Sequence, residues 1–459
     1  MPDIRKIALF IAVFAGFLTP FDLSAVNIAL PSIGAEFSLD AVTMGWIATA
    51  YLLASAVFLL PFGRIADIYG RKRVFFAGLS VFTFASFLTL FAPSALAIIL
   101  LRILQGAGAS LIFGTAVAIL TSVTPAAERG RALGIYTTAV YLGLSCGPFI
   151  GGYLTHTFGW RSIFLINVPI GLFTLALIAL YLDGEWADAK GEPFDLGGAI
   201  QYSLTLICVM LGFTLLPDAE GFILIGAGTL MLWVFIRRER RIPYPLLDLR
   251  VWTMNRAFAF SNLAALINYS ATFSVTFFLS LYLQYVRGFD PLTAGAILVV
   301  QPVAQAAVSS LAGRLSDRTT PGKIASAGMA LTAAGLIALV FVSATTPLPV
   351  LAGILILIGL GLGIFSSPNT NAIMGSVEKR MYGIAAGTLS TMRLVGQTIS
   401  MGVAMMIIAL FIGRIQITAA QHDQLVTSMH VAFALFAASC IAGIFFSLVR
   451  YEKTGEKTP

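Results

Sequence analysis

Fourteen apolar runs, most of them as long as a membrane-crossing helix requires, occupy the greater part of this 459-residue chain. They fall at about 7–31, 43–62, 74–92, 95–120, 132–155, 161–182, 196–216, 221–236, 257–286, 292–312, 324–344, 349–374, 383–413 and 429–449. A helix needs roughly 20 apolar residues to cross the hydrocarbon core. Charged residues make up only 11% of the chain, against about 25% in a soluble domain. These features define an all-α integral membrane protein. The longest connections, 183–195, 237–256 and 414–428, are too short to bury a core of their own. The first run follows Arg5 and Lys6 as a signal peptide would, yet it is too long and lacks a small-x-small cleavage site. It is expected to stay as the first span.

Basic residues set the orientation, because short cytoplasmic loops carry the Lys and Arg excess. With the N-terminus inside and the spans alternating, 23 of the 28 basic residues fall on cytoplasmic segments. The opposite face holds Arg161, Arg287 and Arg414, and the spans hold Arg102 and Arg393. Both termini are therefore expected in the cytoplasm of a cell-membrane protein. The net charge of +7 follows from topology and calls for no nucleic-acid partner. The RRER cluster at 237–240 reads the same way, as a juxtamembrane anchor. Cys146, Cys208 and Cys440 all lie inside spans without CxxC spacing, which suggests neither a disulfide framework nor a metal site.

Two loops repeat one another. GRIADIYGRKR at 63–73 and GRLSDRTTPGK at 313–323 place Gly, Arg and Asp at the same offsets, as Gly63, Arg64 and Asp67 against Gly313, Arg314 and Asp317. If spans seven and eight are an inserted pair, each half keeps six spans and the loops become equivalent. Parallel repeats of this kind are a transporter design. The expected organisation is a six-helix bundle over 1–182, a linker with two extra helices over 183–256, and a second six-helix bundle with a short tail over 257–459. Gly63 and Gly70 permit a tight turn, and Arg71 to Arg73 anchor it at the surface. In GLSCGPFIGG, Gly143, Gly147, Pro148, Gly151 and Gly152 lie on one helix, where small residues allow close helix approach.

Together with FDLSAVNIALP, RILQGAG, WRSIFLINVPIG and GIAAGTLSTMRLVGQTISMGVAM, these segments resemble the motifs of the major facilitator superfamily. Within it they resemble the fourteen-span drug:proton antiporters, which include quaternary-ammonium and tetracycline exporters. The resemblance implies that Asp67 forms a latch with a helix N-terminus from the other half, here near Gly383, and with an arginine such as Arg129 or Arg131. A carboxylate at a helix N-terminus contributes about 0.3–1 kcal/mol, or ~2 when partly buried, enough to bias two states several-fold. The resemblance also associates the GPxxGG pattern with export.

Asp22 is the one acidic residue placed well inside a span. An intramembrane charge is costly and is by default a functional hypothesis, although a carboxylate can also simply pair to hold helices together. Burial favours the protonated form of a carboxylic acid and a nearby cation the ionised form, so Asp22 can load and release a proton as its surroundings change. Arg102 is the obvious cation, and Gln105 shares its helix face. The resemblance places both Asp22 and Arg102 at the cavity of the N-terminal half. Protonation from outside would then displace substrate by direct competition, and protons would be the coupling ion, with no other cofactor. Pro31 is expected to end the first helix, while Asn27 reads equally as a backbone or a substrate contact.

Further cavity candidates are Tyr269, Gln301, Gln305, Asn369, Asn371, Arg393 and Gln397. No additional acid is evident in the second half, which disfavours divalent cations and leaves monovalent lipophilic cations, neutral drugs or one dedicated metabolite. A membrane enzyme would need converging acids, bases or metal ligands, whereas His156, His422 and His430 are scattered. A nucleotide-driven pump would need a GxxxxGK[ST] loop, which is absent. The expectation is a monomeric proton-coupled exporter of lipophilic small molecules, with a dedicated exporter or an importer on the same fold as the alternative.

Overall fold

Apolar segments that leave water must satisfy their backbone N–H and C=O groups internally, and this chain does so with helices. The computed structural model describes residues 4–125, 128–247, 249, 252, 255–316, 318–378 and 381–449. Asp317 of the second repeat loop lies outside the described residues. Among the described residues fourteen helices are long and apolar enough to cross a membrane. They are α1 Ile4–Phe37, α2 Ala41–Tyr69, α3 Arg71–Thr89, α4 Ala95–Val123, α5 Arg129–Phe158, α6 Arg161–Tyr181 and α7 Leu196–Leu215. The chain continues with α8 Ala219–Glu239, α9 Arg256–Val286, α10 Pro291–Ser316, α11 Pro321–Val340, α12 Leu348–Gly375, α13 Tyr382–Phe411 and α14 Ala419–Ser447. Among the described residues there is no strand.

Several helices outrun the apolar segments that announce them, because polar end residues supply caps. Asp40 accepts the N–H groups of Val42 and Thr43 at the start of α2, and Asp290 accepts that of Thr293 at the start of α10. The Thr293 N–H holds the Asp290 carboxyl below the usual carboxylate range. At Pro31 the sequence expectation is corrected: α1 runs through it to Phe37. Proline deprives the carbonyl four residues earlier of its donor, and here the Ser280 hydroxyl of α9 donates to the Asn27 carbonyl at 2.8 Å. Pro148 in α5 is compensated in the same way, with the Ser24 hydroxyl of α1 donating to the Leu144 carbonyl at 3.0 Å. Neighbouring helices thus rescue both interruptions.

Packing repeats with an offset of eight helices. In the first half α1 lies on α5 and α6, α2 on α4, and α3 on α4 and α6; in the second, α9 lies on α13 and α14, α10 on α12, and α11 on α12 and α14. The halves meet chiefly through two equivalent pairs, α2 with α13 and α5 with α10, and more lightly through α1 against α9. The α7–α8 hairpin packs by α7 against both α2 and α13, with the Tyr202 hydroxyl donating to the Ala56 carbonyl at 2.9 Å. It therefore flanks one of the two seams.

The seams are closed towards the outer face. A Cβ built on Gly152 would lie 2.3 Å from the Pro291 oxygen, and one on Gly295 2.1 Å from the Pro148 oxygen, so α5 and α10 touch backbone to backbone. Ala41 donates its N–H to the Ile415 carbonyl at 3.1 Å, tying α2 to the loop after α13. Towards the cytoplasm, Gly130 and Gly134 of α5 and Gly383 and Gly387 of α13 have open space where a Cβ would stand.

Candidate functional site

Two separate polar centres occupy the membrane interior. The first is a charge cluster buried among α1, α2, α4 and α6. Asp22 and Arg102 are both 0% exposed and pair at 2.5 Å. Asn167 of α6 donates to the other Asp22 oxygen at 2.7 Å. Arg102 also donates to the Gln105 carboxamide at 2.9 Å and the Ile47 carbonyl at 3.2 Å, and it stacks on Tyr51 with 4.3 Å to the ring centroid. Gln105 in turn donates to Ser86 at 2.8 Å, which extends the cluster to α3. The sequence pointed to Asp22, Arg102 and Gln105 but missed Asn167 and Tyr51. Asn167 was legible in principle, as a carboxamide in the apolar run of span six.

The second centre is a cavity between the halves. Ser24 and Asn27 of α1, Tyr141 and Pro148 of α5, Tyr269, Thr272 and Thr276 of α9, Gln301 and Gln305 of α10, and Arg393 and Gln397 of α13 line it, with Leu23, Leu144, Phe273, Leu298 and Leu362 as apolar wall. Of the sequence candidates it brings together Asn27, Tyr269, Gln301, Gln305, Arg393 and Gln397. Asn369 and Asn371 lie outside this lining: Asn369 donates to the Ser261 carbonyl at 3.1 Å and Asn371 to the Ser316 hydroxyl at 2.7 Å, so they join α12 to α9 and α10. Asp22 and Gln105 are not part of the lining either. Asp22 thus stands outside the cavity, while Ser24 and Asn27 of the same helix reach it within about a turn and a half of Asp22.

The glycine-rich face of α5 makes that link tight. A Cβ on Gly143 would come within 2.4 Å of the Phe17 oxygen, on Gly147 within 2.5 Å of the Ser24 Cβ, and on Gly151 within 2.8 Å of the Ala25 Cα. Gly152 and Pro148 face α10 instead. Through these contacts α5 couples the Asp22 helix to the opposite half.

At the cytoplasmic surface Gly63 has open space around it, and Gly70 turns the chain at φ +121°, where a side chain would strain the backbone and meet Glu185. Asp67 is held by Arg71, at 2.9 Å to Nε and 2.7 Å to Nη2. Arg129 donates to the Thr124 carbonyl at 3.0 Å, and Arg131 is exposed. The acidic 183–195 connector covers this loop. Glu185 accepts the N–H groups of Lys72 at 2.8 Å and Arg73 at 3.3 Å at the N-terminus of α3, Asp188 pairs with Arg71 at 2.8 Å, and Glu192 pairs with Arg64. The Ala189 N–H closes the contact on the Asp67 carbonyl at 2.9 Å. Nothing in the sequence pairs the connector with this loop, since more than a hundred residues separate them.

Comparison with known proteins places this architecture. The family model described as the Major Facilitator Superfamily matches residues 12–401 and again 261–459. The chain is 31% identical over 390 residues to the riboflavin transporter RibZ of Clostridioides difficile, covering 85% of each. It is 30% identical to the multidrug resistance protein Stp of Mycobacterium tuberculosis, covering 84% of this chain and 73% of that one. Its fold matches the inward-facing, unoccupied crystal structure of a bacterial homologue of the human lysosomal transporter Spinster, with a TM-score of 0.70 at 15% identity over 98% of this chain and 97% of that one. The paired six-helix packing, the central cavity and these matches agree: the chain belongs to the Major Facilitator Superfamily, as a multi-pass cell-membrane transporter of small molecules and not an enzyme.

Proposed function

We propose that this protein is a proton-coupled exporter of small lipophilic molecules that works by alternating access, with Asp22 as the proton carrier. The observation that carries the reading is the Asp22–Arg102–Asn167 cluster, fully buried on the helix that also lines the cavity. Protonating Asp22 removes one charge of a buried pair, and breaking such a pair from one side costs about 3–5 kcal/mol. A cost of that size forces α1, α4 and α6 to rearrange, and α1 transmits the change to Ser24, Asn27 and the glycine face of α5. Each charge moved across the membrane contributes about 2.3 kcal/mol per 100 mV, so one proton site supports useful accumulation. Relatives that are multidrug-resistance or antibiotic-export proteins support the outward direction.

The test is uptake into proteoliposomes with an acidic interior, using ethidium, rhodamine 123 and radiolabelled tetracycline, with and without a protonophore. Gradient-driven uptake of at least one compound is expected in the wild type. In Asp22→Asn the gradient-driven component should fall more than about tenfold, while exchange at equal pH persists because the cavity is intact. Asp22→Asn that still concentrates substrate would remove Asp22 from the coupling.

The likeness to RibZ favours a second reading, transport of one dedicated metabolite. Mutual competition among unrelated compounds supports the multidrug reading, and movement of a single compound supports the dedicated one.

A further inference from the structure

The cavity contains a cation, Arg393, with no counter-ion among the described residues. Arg393 sits on α13 about 16 Å from its cytoplasmic start at Tyr382, deep in the membrane interior. Its guanidinium carbon lies 5.3 Å from the Tyr269 ring centroid. Among the described residues no carboxylate lines the cavity, and none pairs with Arg393. The intramembrane acid, Asp22, is committed to Arg102 and Asn167. The Arg393 donors, and the carboxamides of Gln301, Gln305 and Gln397, make no hydrogen bond to other described residues, and the buried Asn27 Oδ1 also lacks a partner.

Arg393 is part-exposed, with its head open to the cavity, and an arginine in the membrane interior ordinarily finds an acid or a carbonyl. Here no described residue supplies that partner, while unused donors surround the position. A cationic cleft with low-dielectric walls concentrates anions, and a guanidinium fork matches a carboxylate through two parallel hydrogen bonds. A cationic substrate would instead face like-charge repulsion with no carboxylate to offset it. We propose that the preferred substrate is an aromatic organic anion whose carboxylate pairs with Arg393, its ring system lying against Tyr269 and the apolar wall, and its polar edges meeting the carboxamides. This rests on the central cavity being the substrate site of the exporter, and it replaces the lipophilic cation as the favoured cargo.

The experiment is equilibrium dye binding by fluorescence anisotropy, at one pH and without any gradient. It uses the full chain in an uncharged maltoside detergent. Fluorescein, a xanthene carboxylate, is compared with rhodamine 123, a cationic xanthene ester of similar size. The wild type is expected to bind fluorescein at least about tenfold more tightly. Arg393→Gln should weaken fluorescein about tenfold or more, the loss of a charge-assisted pair, without weakening rhodamine 123. Arg393→Lys should be intermediate, because charge survives but the fork does not, and Arg393→Glu should invert the preference. The wild-type comparison needs no variant, so a folding defect cannot mask the answer. Tighter binding of rhodamine 123, no binding of fluorescein, or a fluorescein affinity indifferent to Arg393→Gln would each overturn the proposal. Because no proton gradient is involved and Asp22 is untouched, failure of proton coupling leaves this result standing, and failure here leaves the coupling test intact.

Discussion

Arg102→Gln should be among the more damaging single changes in the chain. It removes the 2.5 Å pair with Asp22, the bonds to Gln105 and the Ile47 carbonyl, and the stacking on Tyr51. Asp22 would keep only the Asn167 donor at 2.7 Å in a site with no exposure. Leaving one partner of a buried pair uncompensated costs about 3–5 kcal/mol. Asp22→Asn should fall near the lower end of that range, since Arg102 keeps Gln105, the Ile47 carbonyl and Tyr51. In the double variant the orphaned charge is gone, and an amide pair can take over part of the hydrogen bonding. A coupling energy of about 2–3 kcal/mol is therefore expected, at the upper end for residues in contact. The assay is a double-mutant cycle on reversible unfolding in mixed micelles, with thermal midpoints as a second reading. If the double variant lost the plain sum of the single losses, the two charges would not be compensating one another, and a rearrangement driven by protonation would lose its energetic basis.

Two further predictions concern the gates. Gly295→Val places a side chain where even a Cβ would stand 2.1 Å from the Pro148 carbonyl oxygen, so the outer α5–α10 seam cannot close as seen here. Transport should fall at least about tenfold, and spin-label distances across the outer ends of α5 and α10 should lengthen; unchanged distances would show that the seam tolerates the bulk. Glu185→Gln combined with Glu192→Gln removes a carboxylate from the α3 N-terminus and the partner of Arg64. At about 0.3–1 kcal/mol per exposed contact, the population open to the inside should fall several-fold, as read by distances between the cytoplasmic ends of α5 and α13. No change would mean that the connector is only a tether.

Legibility of the site followed the cost of placing polar groups in lipid. Asp22, Arg102 and Arg393 stand out because charges in spans are rare, and the carboxamides Asn27, Gln301, Gln305 and Gln397 stand out for the same reason to a lesser degree. Asn369 and Asn371 carry an equally strong polar signal, yet they bond α9 and α10 instead of facing the cavity. Polarity reports that a residue needs a partner, without saying whether the partner is protein or substrate. Pro31 marks a lost hydrogen bond in any reading, but only the arrival of Ser280 from α9 lets the helix continue.

The sequence alone determined the fourteen crossings, their direction and the duplication of the halves, because bilayer thickness, loop charge and motif spacing act along the chain. Tertiary structure decided what depends on neighbours distant in sequence. It buried Asp22 against Arg102 and Asn167 away from the cavity, and it left Arg393 at the cavity with no acid among the described residues. It also laid the acidic connector over the Asp67 loop. A charge is visible in one dimension, but its counter-ion is chosen in three.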